Sequence, residues 1–150
     1  SLLEEVLICL MAEKMYSAIE KNPNIPGHNG IKAGVYIDEA SEYISEKLDR
    51  DERHLAPLSS YFLRARSRGI VNMFSCHNPS RISSVMKSAI HTQFCGHLIS
   101  ESDQRSVRDS MGLNQDQAAS LMHLGIGDFC VKLGSGQTMP FIVKADPPTW

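Results

Sequence analysis

Three short apolar runs, AGVYI (33–37), IVNMFSC (70–76) and FCGHLIS (94–100), alternate with segments of helical periodicity. Apolar runs without polar alternation suit strands covered on both faces, and a strand–helix–strand succession points to an α/β layered fold with parallel early strands. The segments between and around them supply the helices. Residues 2–21 place Leu3, Leu7, Leu10 and Met11 at helical spacing among Glu4, Glu5, Glu13 and Lys14. NPNIPGHNG (22–30) cannot continue that helix, because its prolines and glycines make a loop. Pro57 suits a helix start, Leu58, Tyr61, Phe62 and Ala65 line one face, and Gly69 suits the position just after that helix ends.

Downstream, Asn78 and Pro79 read as an N-cap and first helical residue, opening a helix through about Ala89. SESD (100–103) reads as a capping box for a helix stopping at Gly112, and NQDQ (114–117) as another for a helix stopping at Gly125. DFCVKL (128–133) and PFIVKA (140–145) read as strands joined through GSGQ as a hairpin. There are no internal repeats and no low-complexity segments.

A chain of 150 residues is one domain by size, and 42% hydrophobic with 21% charged residues is the composition of a soluble globular protein. A net charge of −2 provides no global basic field, so any contact with nucleic acid must be local. Cys9, Cys76, Cys95 and Cys130 show no CxxC spacing and lie mostly in apolar runs, which reads as buried free thiols in a reducing cytosol rather than a zinc site. No signal peptide is evident, and no apolar run approaches the roughly 18 residues of a membrane span. The opening SLLEE has no initiator Met, which suggests a piece excised from something longer.

The first strand runs directly into two acids, Asp38 and Glu39. Ligands in open parallel sheets sit beyond the carboxyl ends of the strands. Adjacent carboxylates at such an end can hold Mg²⁺ through its water shell and orient or deprotonate an attacking water. The same pair can also simply cap the next helix. His91, His97 and His123 have no convincing partners and read as core or surface residues.

RARSRGIVNMFSCHNPSRI (64–82) adds arginines at a helix end, a glycine, an apolar strand, a polar residue and Pro-Ser. Together with the Asp-Glu strand and SESDQRSVRDSMGLNQDQAASLMHLGIGDFCVKL (100–133), this order of motifs resembles the HerA–FtsK superfamily of ring-forming, DNA-pumping P-loop ATPases, which includes conjugative-transfer motors. The likeness covers roughly residues 3–145. It implies a layered RecA-like sheet with a C-terminal β-hairpin. It also implies that Asp38 holds the water shell of Mg²⁺, that Glu39 polarises the attacking water, and that Arg66, three residues before Gly69, is an arginine finger reaching a neighbour's ATP. Arg64 and Arg68 are lesser substitutes for that role. His77 stands where the family usually has a Gln sensor, and its charge varies near neutral pH. In related rings, loops such as SEKLDRDERH (45–54) face the central channel, which would bring Lys47, Arg50 and Arg53 to DNA phosphates; Asp49, Asp51 and Glu52 weigh toward a solvated loop instead.

The phosphate-binding loop GxxxxGK[ST] is absent from the sequence: GHNGIKAG lacks the Lys-Ser/Thr and GSGQTMP has no Lys. On the family's pattern, residues 1–150 are then a single partial domain, the C-terminal half of an ATPase motor, with the loop and its central strand upstream. The parent would use ATP and Mg²⁺, whereas this chain would bind neither well. The gap leaves a position between the strand of residues 70–76 and that of residues 94–99 empty, so those strands either pair directly or are bridged by a partner chain. An unpaired apolar edge invites association. The implied partners are DNA, further copies in a hexameric ring, and a nuclease, relaxase or secretion-channel protein. The implied location is cytoplasmic, at the inner face of the membrane through parts outside this chain. The alternative is a non-catalytic interaction or oligomerisation module derived from such an ATPase. An unrelated hydrolase is disfavoured, since no GxSxG turn is present.

Overall fold

The computed structural model describes residues 2–22, 31–45, 57–65, 67, 69–134 and 139–146. The chain divides into two compact units, Ser1–His77 with Arg81–Met86, and Asn78–Ser80 with Lys87–Trp150.

In the first unit, α1 (Leu2–Lys21) is followed by β1 (Ala33–Ile37), a 3₁₀ turn (Ala40–Glu42), α2 (Pro57–Ala65) and β2 (Ile70–Phe74). β1 and β2 pair in parallel, from Ala33↔Ile70 to Ile37↔Phe74. Parallel neighbours require a crossover, and α2 lies in it, packing on α1 and β2. The helical stripe read from the sequence does its work here. Phe62 meets Phe74 edge-on with ring centres 4.8 Å apart, in a cluster with Ala40, Ile44, Ile82 and Met86. Ala65 joins Tyr16 and Ile70 in a second cluster. Tyr16 stacks on Tyr61 at 5.7 Å, and its hydroxyl donates to Asn72 Oδ1 at 3.2 Å, so the one polar side chain on the covered face of β2 is satisfied.

That cover is one-sided. Val35, Ile37, Ile70 and Phe74 face the helices, whereas Tyr36, Val71 and Met73 on the opposite face are exposed. The sequence reading of AGVYI as a strand covered on both faces is therefore corrected: the side chains that pack on this pair do so on one face, and Tyr36, Val71 and Met73 on the other are exposed.

The second unit is an antiparallel sheet of order β3-β4-β5, formed by Gln93–Cys95, Asp128–Lys132 and Phe141–Lys144. The expected hairpin is present as the β4–β5 ladder, Asp128↔Lys144 to Val131↔Phe141. α4 (Glu101–Met111) contributes Val107 and Met111 to a core completed by Cys95, Leu113, Leu121 and Cys130, and α5 (Gln115–Ser120) packs on α4. α4 ends as expected, with Gly112 at φ 76 in the left-handed conformation that terminates helices. The Asn114 capping box forms in full: Asn114 Oδ1 accepts from Gln117 N–H at 2.8 Å, and Gln117 Oε1 accepts from Asn114 N–H at 2.9 Å. Burial of the thiols holds for Cys95 and Cys130, while Cys76 is half-buried. Burial also pushes the Cys130 thiol pKa up.

Several sequence expectations change. The helix expected over 78–89 is broken into a 3₁₀ turn (Pro79–Arg81) and α3 (Ser84–Ala89). Between them Ile82 bridges back to Ser45, and Ser83 N–H donates to Ile44 O at 2.9 Å. Burying Ile82 and Ser83 in the first unit competes with continuing the helix, and prevails. The strand expected over 94–100 stops at Cys95, because Leu98 N–H turns to Leu121 O at 3.2 Å and Gln104 Nε2 takes Leu98 O at 2.8 Å. The SESD box does not form: Ser100 Oγ pairs with Ser102 Oγ at 2.8 Å instead of capping the backbone. α5 stops at Ser120 and tightens into a 3₁₀ turn, Leu121–His123, that buries Leu121 before Gly125 is reached. β2 and β3 do not pair, since they lie in separate sheets.

Met111 is 1% exposed at the centre of the second core, so Met111→Ala is expected to cost about 3 kcal/mol. Asn114→Ala, which removes half of a capping box, should cost about 1 kcal/mol. Urea unfolding followed by far-UV circular dichroism checks both values and their order.

Candidate active site

The parallel register decides what meets at the strand ends. Ile37 lies opposite Phe74, so the next residues, Asp38 and Ser75, are level with each other beyond the carboxyl ends of β1 and β2. The backbone keeps them there: Ser75 N–H donates to Ile37 O at 3.0 Å, and Ala40 N–H donates to Ser75 O at 2.9 Å. Side chains two apart on a strand share a face. Tyr36 therefore points the same way as Asp38, on the exposed side of the pair.

A hydrogen-bonded cluster results. Ser75 Oγ donates to Asp38 Oδ1. Tyr36 OH lies 3.1 Å from Ser75 Oγ and 3.4 Å from Asp38 Oδ1. With one proton to give, the phenol donates along the shorter contact, to Ser75, whose own proton points at the carboxylate. Glu39 N–H adds a second donor at 3.1 Å to the same Oδ1. Ser75 is the main group holding the Asp38 carboxyl below its ordinary range; desolvation, next in size, opposes it, and the Glu39 amide, Tyr36 and nearby His77 add smaller downward contributions.

Glu39 is the one non-glycine residue with positive φ among the described residues, at φ 51 and ψ 43. A left-handed conformation costs a side-chain-bearing residue roughly 1–2 kcal/mol. Here it bends the chain off β1 into the 3₁₀ turn, where Ala40 and Ser41 are buried, and leaves the Glu39 carboxylate half-exposed. That carboxylate meets His77, with Nε2 to Oε1 at 3.0 Å. The His77 side chain is 87% exposed and that of Glu39 45%, so solvent weakens the pair and leaves it able to open.

Of the residues singled out from sequence, Asp38, Glu39 and His77 thus converge on one exposed strand end. Arg66, Arg68, Lys47, Arg50 and Arg53 lie outside the described residues. Arg64 is held on its own helix, with its guanidinium 5.6 Å from the centre of the Tyr61 ring and bonded to Ser60 O and Oγ at 3.1 and 3.0 Å. His91, His97 and His123 are all exposed. Sequence reasoning missed Tyr36 and Ser75. The signal for Tyr36 was its period-two spacing from Asp38; Ser75 becomes visible only once the register of β2 on β1 is known.

In the second unit, the Pro-Ser that follows His77 in the chain is pinned by α4. Buried Asp103 accepts from Ser80 N–H at 2.9 Å, and Ser106 Oγ donates to Pro79 O at 3.0 Å while receiving Lys87 Nζ at 3.0 Å. The sequence reading assigned Asp103 only to a helix cap. Its carboxylate instead fixes a separate loop.

Neither a protein-family model nor a curated protein matches this sequence. Solved structures do. The genome packaging NTPase B204 from Sulfolobus turreted icosahedral virus 2, in complex with ATP-gammaS, matches with a TM-score of 0.68 at 13% identity, over 91% of this chain and 64% of that one. Its complex with AMPPCP gives 0.68 at 14% identity, over 92% and 62%. The fold is P-loop NTPase-like. The expected α/β class therefore holds, as a parallel pair and a small antiparallel sheet, and the chain spans less than two thirds of the length of the solved chains it matches. Among the described residues, no helix is long and apolar enough to cross a membrane, and no group of three His, Cys, Asp or Glu side chains is gathered to ligate a metal directly.

Because the folded-state pKa of Asp38 is depressed, its contribution to stability is present above the ordinary carboxylate range and is lost as pH falls through the lowered value. Ser75→Ala removes the largest cause and should move the Asp38 titration upward toward that ordinary range. A carboxyl ¹³C NMR titration reads the midpoint directly; an unmoved midpoint would contradict this account.

Proposed function

We propose that the chain is the acid-bearing second half of a HerA/FtsK-type motor domain, in a protein that hydrolyses ATP to move DNA. One observation carries the reading: in a P-loop NTPase-like fold, adjacent carboxylates emerge exposed at the carboxyl end of a parallel strand. Asp38 fits a hydrated Mg²⁺, since its two protein donors, Ser75 Oγ and Glu39 N–H, both fall on Oδ1 and, among the described residues, none falls on Oδ2. When bound, the ion supplies charge neutralisation for the phosphates. Glu39 is the base that polarises the attacking water. Its Oε1 lies against His77 in the sensor position, so Oε2 is the oxygen left to accept a proton from that water. Arg66 acts across a subunit boundary on the neighbour's nucleotide. Lys47, Arg50 and Arg53 supply local positive charge for DNA phosphates.

The sequence has no GxxxxGK[ST], so the backbone cradle for the phosphates must come from elsewhere in the protein, and this chain alone neither holds ATP tightly nor turns it over. The neighbour B204 is a genome packaging NTPase seen with ATP analogues, which supports a nucleotide-driven motor acting on nucleic acid. Residues 1–150 then form one partial motor domain of a cytoplasmic ring, a hexamer on the family's pattern, docked to a nuclease, relaxase or secretion-channel protein. A second reading, a non-catalytic oligomerisation module, is favoured by the absent loop and by His in place of Gln at position 77.

The full-length protein carrying this chain decides between them. DNA-stimulated phosphate release is expected from it and not from residues 1–150 alone. Glu39→Gln should lower turnover roughly 10²–10⁴-fold with ATP binding retained, and Arg66→Ala roughly 10³-fold or more. Undiminished turnover in Glu39→Gln would overturn the motor reading, and a full-length protein without hydrolysis would favour the module.

A further inference from the structure

The contacts around Asp38 go beyond naming it as the Mg²⁺ acid. We infer that Ser75 and Tyr36 are positioning residues that grip Asp38 by one oxygen, Oδ1, and thereby dedicate the other, Oδ2, to the hydrated cation. The inference rests on the motor reading above and adds two residues to its site.

A carboxylate on a strand end has free rotation about χ2 and two equivalent oxygens, so an ungripped Asp presents either one to a ligand. Here the equivalence is removed. Ser75 Oγ and Glu39 N–H, the latter at 3.1 Å, both donate to Oδ1. A carboxylate oxygen has about two lone-pair sites, so these donors leave it no further acceptor capacity. The carboxyl plane is then set by the protein before any cation arrives, which lowers the entropic cost of ordering it on binding.

The two hydroxyls act in series. Tyr36 OH donates to Ser75 Oγ at 3.1 Å, which orients the serine so that its proton points at Asp38. A donor that itself receives a hydrogen bond is polarised and donates more strongly. Neither hydroxyl is there to satisfy the core. Tyr36 is 61% exposed, and the cluster lies on the uncovered side of the β1–β2 pair. Water could serve both groups equally well if folding were the only demand on them. The geometry instead follows from two placements made by the sheet: Tyr36 two residues before Asp38 on one face, and Ser75 level with Asp38 on the neighbouring strand. The ladder donates from one strand end across to the acid of the next, which is the arrangement that outer-shell partners of metal-holding carboxylates adopt.

The test measures Mg²⁺ binding to the full-length protein by isothermal titration calorimetry and, beside it, ATP turnover as a function of Mg²⁺ at saturating ATP. Loss of an outer-shell partner weakens metal binding about 10–100-fold, so Ser75→Ala is expected to raise the Mg²⁺ concentration for half-maximal turnover about tenfold, far more than it lowers kcat. Ser75→Thr, which keeps the hydroxyl, should restore it. Tyr36→Phe should produce a smaller rise, and because the ring is exposed this variant guards against a folding defect in Ser75→Ala. A merely structural role would lower the melting temperature and kcat without moving the Mg²⁺ midpoint. An unmoved midpoint in both Ser75→Ala and Tyr36→Phe, with turnover still sharply lowered in Glu39→Gln, would overturn this inference and leave the motor reading standing. Undiminished turnover in Glu39→Gln would overturn both.

Discussion

The parallel pairing of β1 with β2 is the contact from which the rest of the first unit follows. Its register sets Ile37 against Phe74, and that one alignment does two things. On the covered face it brings Ile37 and Phe74 onto Phe62 of α2, building the core. Beyond the strand ends it lays Ser75 beside Asp38. A slip of one residue would exchange the faces of β2, exposing Ile70 and Phe74 and turning Val71 and Met73 toward the helices. The hydrophobic term therefore locks the register, and the polar cluster inherits its position from apolar packing a few ångströms away.

The site itself contributes little to holding the fold. Asp38 and His77 are exposed, Glu39 is half-exposed, and Glu39 is kept in a left-handed backbone conformation that a side chain disfavours. The cost is small beside the burial of Ala40, Ser41 and Ile44 in the turn that follows. Strained backbone next to a convergent set of acids and hydroxyls is where function is often found. The second unit shows the opposite balance. Its buried Asp103 spends its acceptors on the backbone of Ser80, so that carboxylate stabilises a loop rather than offering itself to a ligand.

Much of this could be read without coordinates where the deciding interactions are local. The stripe Tyr61, Phe62 and Ala65, the left-handed glycine at 112 and the Asn114 capping box all depend on residues within one turn of each other, and all were legible. So was the Asp-Glu pair at a strand end, because a short apolar run gives way there to two adjacent charges. Two of the failures share a cause: the helix expected from Asn78 is interrupted because Ile82 finds Ser45, distant in sequence, and the third strand is cut short because Leu98 finds Leu121. The box at Ser100 is instead lost locally, to the hydroxyl of Ser102. Local propensity amounts to a few tenths of a kcal/mol to about 1 kcal/mol per residue, and burying an apolar side chain outweighs it at roughly 1.5–3 kcal/mol.

Sequence by itself determined the element types, the α/β class and the identity of the acids, since these rest on periodicity and on neighbours along the chain. The tertiary structure alone decided that only one face of the parallel pair is covered, that β2 and β3 belong to separate sheets, and that Ser75 and Tyr36 grip a single oxygen of Asp38. The reason is the range of the forces involved. Strand register and sheet order are set by contacts between residues tens of positions apart, and no pattern within a short window encodes which distant strand will lie alongside.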